Sequence, residues 1–169
     1  MGKTSYAVAL GCNRRHGRHG APAAVIAAAV TEMSAADLQI VVVSKIYTTP
    51  AMGGAGRAFA NAAAVLESRL EPPELLAVLK GIERRFGRRP GRRWGPRVLD
   101  LDILLWSGGA WESAGLVVPH PAYRAREFVL APLAEIGPGW RDPLTGVTVR
   151  QLLYRLRARL PVDRAAARS

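Results

Sequence analysis

Two aspartates in an otherwise apolar segment are the first residues whose spacing suggests chemistry. Asp100 and Asp102 interrupt the run VLDLDILLW, from Val98 to Trp106. Side chains two positions apart on a strand point to the same face, so both carboxylates are predicted to project together. Such a pair repels itself unless a cation binds it, and it suits Mg²⁺, which usually takes one or two protein carboxylates beside water and phosphate oxygens. The alternative is that both aspartates lie on a solvated sheet face.

An arginine-rich loop lies directly before this strand. Residues 87–97, GRRPGRRWGPR, contain prolines and glycines that disfavour regular structure, and five arginines: Arg88, Arg89, Arg92, Arg93 and Arg97. Guanidinium groups bind phosphate oxygens with two parallel hydrogen bonds. A metal-binding carboxylate pair beside such a cluster is what phosphoryl transfer requires, because its catalysis is mostly positioning and charge neutralisation. The combination favours nucleotide-dependent phosphoryl transfer over a solvated face.

Composition narrows the class of protein. The 169 residues are 49% hydrophobic and 22% charged, which predicts one globular domain spanning residues 1–169. The net charge of +11 suits a polyanionic partner, either nucleic acid or a nucleotide, although part of it can be a solvated arginine surface. A single cysteine, Cys12, gives no intramolecular disulfide, and no signal peptide or membrane span is evident, so we expect a cytoplasmic protein without a membrane partner.

The elements that must position these groups follow from hydrophobic periodicity. The pattern predicts strands at Ser5–Leu10, Leu38–Tyr47 and Val98–Trp106, and helices at Pro22–Met33, Pro72–Phe86, Arg126–Leu133 and Val149–Leu160. Both faces of Leu38–Tyr47 carry β-branched residues, which predicts a central strand. The segment from Phe59 to Leu70 is ambiguous, because its alanines favour a helix while its alternation fits a strand. The order of elements predicts an α+β sandwich built on one sheet.

The segment RRWGPRVLDLDILLW resembles the signature of the hydroxymethyl-dihydropterin pyrophosphokinases, in which Trp-Gly-Pro-Arg is followed by Asp-x-Asp. Four further blocks resemble that family in the same order: ALGCN, IYTTPAMG, FANAA and VPHPAYRAREFVLAPL. The resemblance implies a ferredoxin-like α/β/α sandwich around a mostly antiparallel sheet, in which Phe59–Leu70 is a strand. It also implies transfer of diphosphate from ATP to 6-hydroxymethyl-7,8-dihydropterin in folate biosynthesis, with AMP and the pterin diphosphate as products.

The resemblance further implies a role for individual residues. Asp100 and Asp102 would hold two Mg²⁺ ions, and Arg88 and Arg97 would stabilise the transferred phosphoryl group as catalytic residues. The residues implied to bind the pterin are Thr49, Pro50, Met52, Phe59, Asn61 and Phe128. Those implied to bind ATP are Glu83, Arg89, Arg93, Trp94, His120, Tyr123 and Arg126. Simpler roles stay open for three of these residues, since the two phenylalanines can be core aromatics and the histidine can cap a turn.

Other functions remain as alternatives. A small basic RNA-binding module would explain the charge, but it predicts exposed aromatics among basic residues, where strand 98–106 presents acidic ones. A pterin-binding relative without turnover is suggested by the arginine loop, about one residue shorter than in well-known members, and by Gly115, where relatives can carry a basic residue. Zinc binding by Cys12, His16 and His19 lacks a fourth ligand. We expect small-molecule substrates and no nucleic-acid partner, and we also expect a monomer.

Overall fold

The computed structural model describes residues 2–49, 58–87 and 98–159. The strands are β1 (Thr4–Cys12), β2 (Gln39–Val43), β3 (Tyr47–Thr49), β4 (Phe59–Ser68), β5 (Asp100–Trp106), β6 (Trp111–Ser113) and β7 (Leu116–Val118). The helices are α1 (Pro22–Ala35), α2 (Pro72–Arg85), α3 (Glu127–Ile136) and α4 (Val149–Arg159), with a 3₁₀ turn at Tyr123–Ala125. None of the described helices is long and apolar enough to cross a bilayer.

An antiparallel sheet lies between two layers of helices. The strand order is β2–β4–β1–β5, and β3 pairs with β4 next to β2. Buried residues of α1 and α2 pack on one side of the sheet, and those of α3 and α4 pack on the other. We call these the α1/α2 face and the α3/α4 face. The expected α+β sandwich with a mostly antiparallel sheet is thus confirmed.

Strand β4 is the alanine-rich segment that local pattern left undecided. It spans ten residues, and from Ala60 to Ser68 it pairs with β1. Ala60, Ala62 and Ala64 are buried on the α1/α2 face. Their small side chains suit a central strand with helices on both sides, so tertiary packing overrides the local helix preference of alanine. The strand implied by the family resemblance is confirmed.

The prediction of one central strand from Leu38 to Tyr47 is wrong in two respects. The segment forms two strands, β2 and β3, and it lies at the edge of the sheet, where Val41 is 54% exposed. The interruption falls at Ser44, whose hydroxyl accepts the Ala63 backbone N–H at 3.0 Å. A buried side chain therefore replaces part of the regular backbone ladder, and the strand pattern resumes only at Tyr47.

The helices begin where their end groups are satisfied. Helix α2 starts at Pro72 behind a capping box, in which Glu71 and Glu74 bond each other's backbone N–H groups. Helix α4 starts at Val149, and Thr148 and Gln151 exchange similar bonds. The predicted helices are confirmed with small shifts at their ends, and the predicted last residue of α4, Leu160, lies outside the described residues.

Candidate active site

An open pocket of about 330 Å³ lies at one end of the sheet. The end of β1 and the starts of β4, β5 and α3 line it. Of the residues predicted for the site, it brings together Phe59, Asn61, Asp100, Asp102, Arg126 and Phe128. Six side chains predicted to share a function, which are spread over 70 positions of the sequence, therefore share one cavity.

The floor of the pocket is a row across three strands. Gly11 of β1 pairs with Asn61 of β4 on one side and with Asp100 of β5 on the other. Neighbouring residues in register point to the same face of a sheet, so the amide and the carboxylate lie on the α3/α4 face with no side chain between them. A Cβ atom at Gly11 would lie 3.4 Å from the Asn61 Oδ1 atom. The glycine thus keeps the floor open between the two polar groups.

Strand β5 presents its two carboxylates as the alternation predicted. Asp100 and Asp102 are partly exposed and line the pocket, whereas Leu101 and Ile103 are buried on the α1/α2 face. The register shifts opposite Ala7 and Val8, leaving an extra residue on β5. After this bulge the strand fills the core on the α3/α4 face instead of lining the cavity.

Strand β5 lies at the edge of the described sheet. Two segments outside the sheet form hydrogen bonds with backbone groups on its unpaired side. The Leu101 N–H donates to the Glu83 carboxylate at 2.8 Å. The Leu104 carbonyl accepts the His120 backbone N–H at 3.0 Å. Buried backbone polar groups require partners, so these contacts hold the aspartate-bearing strand in place of another strand.

His120 caps a turn, which is one of the two roles that the sequence left open. Its Nδ1 atom accepts the Ala122 backbone N–H at 3.2 Å, which caps the turn before the 3₁₀ segment. Burial lowers the pKa of His120, and Arg126 and Lys80 lower it further, although nearby Asp102 opposes the shift. The lowered pKa favours the neutral imidazole, and because Nδ1 accepts a hydrogen bond, the proton of that neutral ring lies on Nε2.

Two aromatic rings form the walls of the pocket. Phe59 is 48% exposed at the start of β4, and Phe128 is 49% exposed at the start of α3. The alternative that they are core aromatics is wrong, because rings half open to solvent in a cavity are available for stacking on a flat ligand. The Arg126 guanidinium lies 5.9 Å from the centre of the Phe128 ring and adds a positive charge at the rim.

Two residues that were predicted to contact ATP are buried. Tyr123 is completely buried, and its hydroxyl donates to Asp142 at 2.6 Å. Glu83 is also completely buried and binds Leu101 and Lys80. Neither side chain reaches the pocket surface, so each serves the fold around the site. Gly115 is explained by its place in the β6–β7 turn, where a φ of +79° would strain any other residue.

The remaining predicted residues are placed only in part. Thr49 ends β3 and pairs with Phe59, beside the pocket. Seven predicted residues lie outside the described part of the chain: Pro50, Met52, Arg88, Arg89, Arg93, Trp94 and Arg97. Sequence reasoning missed Gly11 and Asn13 as pocket residues. The Asn13 Oδ1 atom is buried and accepts no hydrogen bond within the described residues, and the available signal was an Asn directly after the first strand, two positions beyond Gly11.

The donor set suits one kind of metal. No cluster of three or more His, Cys, Asp or Glu side chains able to hold a metal occurs within residues 2–49, 58–87 and 98–159. A structural zinc site takes four protein ligands, whereas Mg²⁺ is commonly held by one or two carboxylates together with water and substrate phosphates. Asp100 and Asp102 fit the second pattern. The His16 ring instead stacks on His19, and its Nδ1 atom accepts backbone N–H groups.

The geometry defines a class of site in which a carboxylate pair suited to a metal-bound polyphosphate adjoins an amide and two aromatic walls suited to a flat polar ring. The sequence places the chain within one family of that class. Residues 7–138 match the family model described as 7,8-dihydro-6-hydroxymethylpterin-pyrophosphokinase (HPPK), and the chain belongs to this family.

Curated relatives carry the same activity in their names. The chain is 41% identical over 126 residues to a 2-amino-4-hydroxy-6-hydroxymethyldihydropteridine pyrophosphokinase of Synechocystis sp., a match that covers 74% of the chain and 65% of that relative. It is 42% identical over 139 residues to the protein of the same name from Methylorubrum extorquens, which covers 81% of the chain and 87% of the relative. The matched part thus spans about two thirds of one relative and most of the other.

Solved structures support the fold. The wild-type HPPK-DHPS of Plasmodium falciparum superposes with a TM-score of 0.72 at 14% sequence identity, over 94% of this chain and 45% of that one. An HPPK-DHPS crystallised in complex with substrates superposes with a TM-score of 0.68 at 12% identity, over 92% of this chain and 43% of that one. At such low identity the likeness concerns the α+β architecture alone.

Proposed function

We propose that this protein transfers diphosphate from ATP to 6-hydroxymethyl-7,8-dihydropterin, giving AMP and the pterin diphosphate in folate biosynthesis. The observation that carries the proposal is the pocket floor, in which Asn61 and Asp100 flank Gly11 in register. A ring-binding amide and a metal-binding carboxylate then lie beside each other, as a reaction between a pterin alcohol and a metal-bound triphosphate requires. The family membership and the names of the relatives support the same reaction.

Each side chain in the pocket has a role in this proposal. The Asn61 amide can donate and accept, so it matches the polar edge of a pterin, while Phe59 and Phe128 stack on the two faces of the ring. Asp100 and Asp102 would hold two Mg²⁺ ions, which would neutralise the triphosphate charge. Holding the ring in one plane fixes the hydroxymethyl oxygen for in-line attack on the β-phosphorus.

Positive groups act on the phosphate side. Arg126 lines the pocket, and His120 lies close enough to Asp102 and Arg126 for their charges to shift its pKa, so we assign both side chains to the binding of phosphate oxygens. The family resemblance assigns stabilisation of the transferred group to Arg88 and Arg97, and further ATP contacts to Arg89, Arg93 and Trp94. We include these roles in the proposal, and we further propose that residues 1–169 form one domain of a monomeric, cytoplasmic enzyme.

The decisive test is product analysis with purified protein. ATP and Mg²⁺ are incubated with and without 6-hydroxymethyl-7,8-dihydropterin, and nucleotides are separated by chromatography. Pterin-dependent AMP is the expected result, and ADP would show ordinary kinase chemistry instead. Pterin binding without any product would support the alternative of a relative that has lost turnover.

A pair of matched variants assigns the carboxylates. Asp100→Ala is expected to abolish AMP formation while leaving the cooperative unfolding transition in place, because the residue is partly exposed. Glu112→Gln, an equally small charge change on exposed β6, is the control and is expected to keep full activity. Undiminished turnover by Asp100→Ala would contradict the two-metal assignment.

A further inference from the structure

Glu83 is a charged residue in a position where charge is costly. It lies on α2 and is completely buried together with its apolar neighbour Ile82. A carboxylate removed from water destabilises a fold unless hydrogen bonds and a counter-charge compensate it. A residue that only filled space on this helix would be apolar, so the charge requires an explanation in terms of what it binds.

The contacts of Glu83 lead to the strand that carries the aspartates. Its Oε1 atom accepts the Leu101 N–H at 2.8 Å and the Lys80 ammonium at 2.8 Å. Leu101 stands between Asp100 and Asp102, and its N–H points away from β1, toward the open edge of the sheet. The carboxylate therefore binds β5 at the backbone N–H that lies between the two candidate metal ligands.

We propose that Glu83 is a positioning residue that sets the relative placement of Asp100 and Asp102 for metal-nucleotide binding. The inference rests on the proposed function, because it takes the two aspartates as ligands of the metal ions. Two carboxylates on alternate positions can share metal ions only if the backbone between them keeps one twist. An edge strand lacks the second neighbour that would fix this twist, and the Glu83 bond takes that neighbour's place.

Lys80 is the counter-ion of Glu83. The ammonium is 30% exposed and lies 2.8 Å from the buried carboxylate, one helical turn away, where it provides the counter-charge that a buried carboxylate requires. An ionised acceptor holds an N–H more strongly than a neutral one does. Loss of the charge at either residue should therefore loosen β5 at the aspartates without touching Asn61 or the aromatic walls.

The test is Glu83→Gln, compared with Glu74→Gln, a matched control in the exposed first turn of the same helix. Mn²⁺ binding in the presence of a non-hydrolysable ATP analogue is measured by electron paramagnetic resonance, and Tm by circular dichroism. Steady-state assays give the Mg²⁺ requirement and the KM for the pterin. For Glu83→Gln we expect Mn²⁺ affinity to fall by about ten-fold or more, as for other groups that orient metal ligands, with the pterin KM within about two-fold of wild type.

The outcomes separate positioning from simple packing. A lower Tm with wild-type Mn²⁺ affinity and Mg²⁺ requirement would overturn the proposal. If Glu83→Gln does not fold, Lys80→Gln decides instead: weaker Mn²⁺ binding supports the proposal, and wild-type binding overturns it. Wild-type protein that binds Mn²⁺ with the analogue but forms no AMP would refute the proposed reaction and leave the Glu83 comparison intact.

Discussion

Replacement of Asp142 by asparagine tests how the segment behind the pocket is held. The carboxylate is completely buried and accepts four hydrogen bonds, from the Tyr123 hydroxyl at 2.6 Å, Arg124 Nε at 2.5 Å, and the backbone N–H groups of Leu144 and Thr145 at 2.8 and 3.2 Å. These bonds tie the turn before α4 to the 3₁₀ turn that precedes α3. The stability of the Arg126 and Phe128 side of the pocket therefore depends on one charge.

The magnitude follows from the pKa of this carboxyl. Burial raises it, but the bonds from Arg124, Tyr123 and Leu144 outweigh burial and lower the pKa of Asp142 from 3.8 to about 2. Because the folded-state pKa is the lower one, the contribution to stability is fully present above pH 3.8 and is lost as the pH falls through about 2. The difference corresponds to about 2 kcal/mol of unfolding free energy at neutral pH.

Asp142→Asn should lower the unfolding free energy by more than this contribution, by about 3 kcal/mol. The amide NH₂ places a donor against groups that are themselves donors, and the substitution leaves Arg124 without its counter-ion. Arg124 is 29% exposed, which keeps the loss at the lower end of the usual range for a broken buried pair. The assay is urea unfolding at pH 7 and at pH 3, followed by tryptophan fluorescence. We expect the difference in unfolding free energy between wild type and variant to be smaller at pH 3 than at pH 7.

The matched control breaks an exposed pair instead. Glu127→Gln removes the partner of Arg157, where the two side chains are 41% and 55% exposed, and solvent screening limits the loss to below about 1 kcal/mol. The reasoning from buried charge would be refuted by either of two results. One is that Asp142→Asn lowers the unfolding free energy no more than this control does; the other is that the difference in unfolding free energy between Asp142→Asn and wild type is the same at both pH values.

Three further predictions concern the pocket. Asn61→Ala should raise the KM for the pterin by about ten- to a hundred-fold with little change in the KM for ATP, because it removes only hydrogen bonds to the ring, as steady-state kinetics would show. Gly11→Val should weaken pterin binding in a fluorescence titration, since its branched side chain crowds the Asn61 Oδ1 atom, whereas Gly11→Ala, with a Cβ contact of 3.4 Å, should bind nearly normally. Removal of divalent metal with EDTA should abolish turnover while leaving Tm almost unchanged; a large fall in Tm would point to a structural metal.

The sequence was sufficient where the pattern is local. The alternation around Asp100 and Asp102 correctly predicted one shared face, and the helical spacing from Pro72 correctly predicted α2. Both depend on residues close together in the chain. The amino acids that share the pocket were predicted through the family resemblance, since no local pattern connects Asn61 with Phe128.

The sequence was insufficient where the hydrogen-bond partner of a residue is distant in the chain. Ser44 ends β2 because it bonds Ala63, and nothing near Ser44 indicates that contact. Glu83 and Tyr123 carry polar groups that suit a ligand, but Leu101 and Asp142 occupy them, 18 and 19 positions away. Whether a polar side chain meets solvent, ligand or protein depends on what the fold places over it, so residue type alone could not separate the pocket residues from their supports.

The placement of the two halves of the pocket follows from the difference between a central strand and an edge strand. Asn61 projects from β4, which is paired on both sides, so the amide that we propose to bind the ring has a backbone fixed by two ladders. Asp100 and Asp102 project from β5, which in the described sheet is paired on one side only, and the bonds from Glu83 and His120 replace the second ladder. An edge leaves lateral space for a bulky metal-bound triphosphate, which a central strand would not. The geometry of such an edge strand depends on its two hydrogen bonds to Glu83 and His120. Metal binding should therefore be more sensitive than ring binding to substitutions outside the pocket.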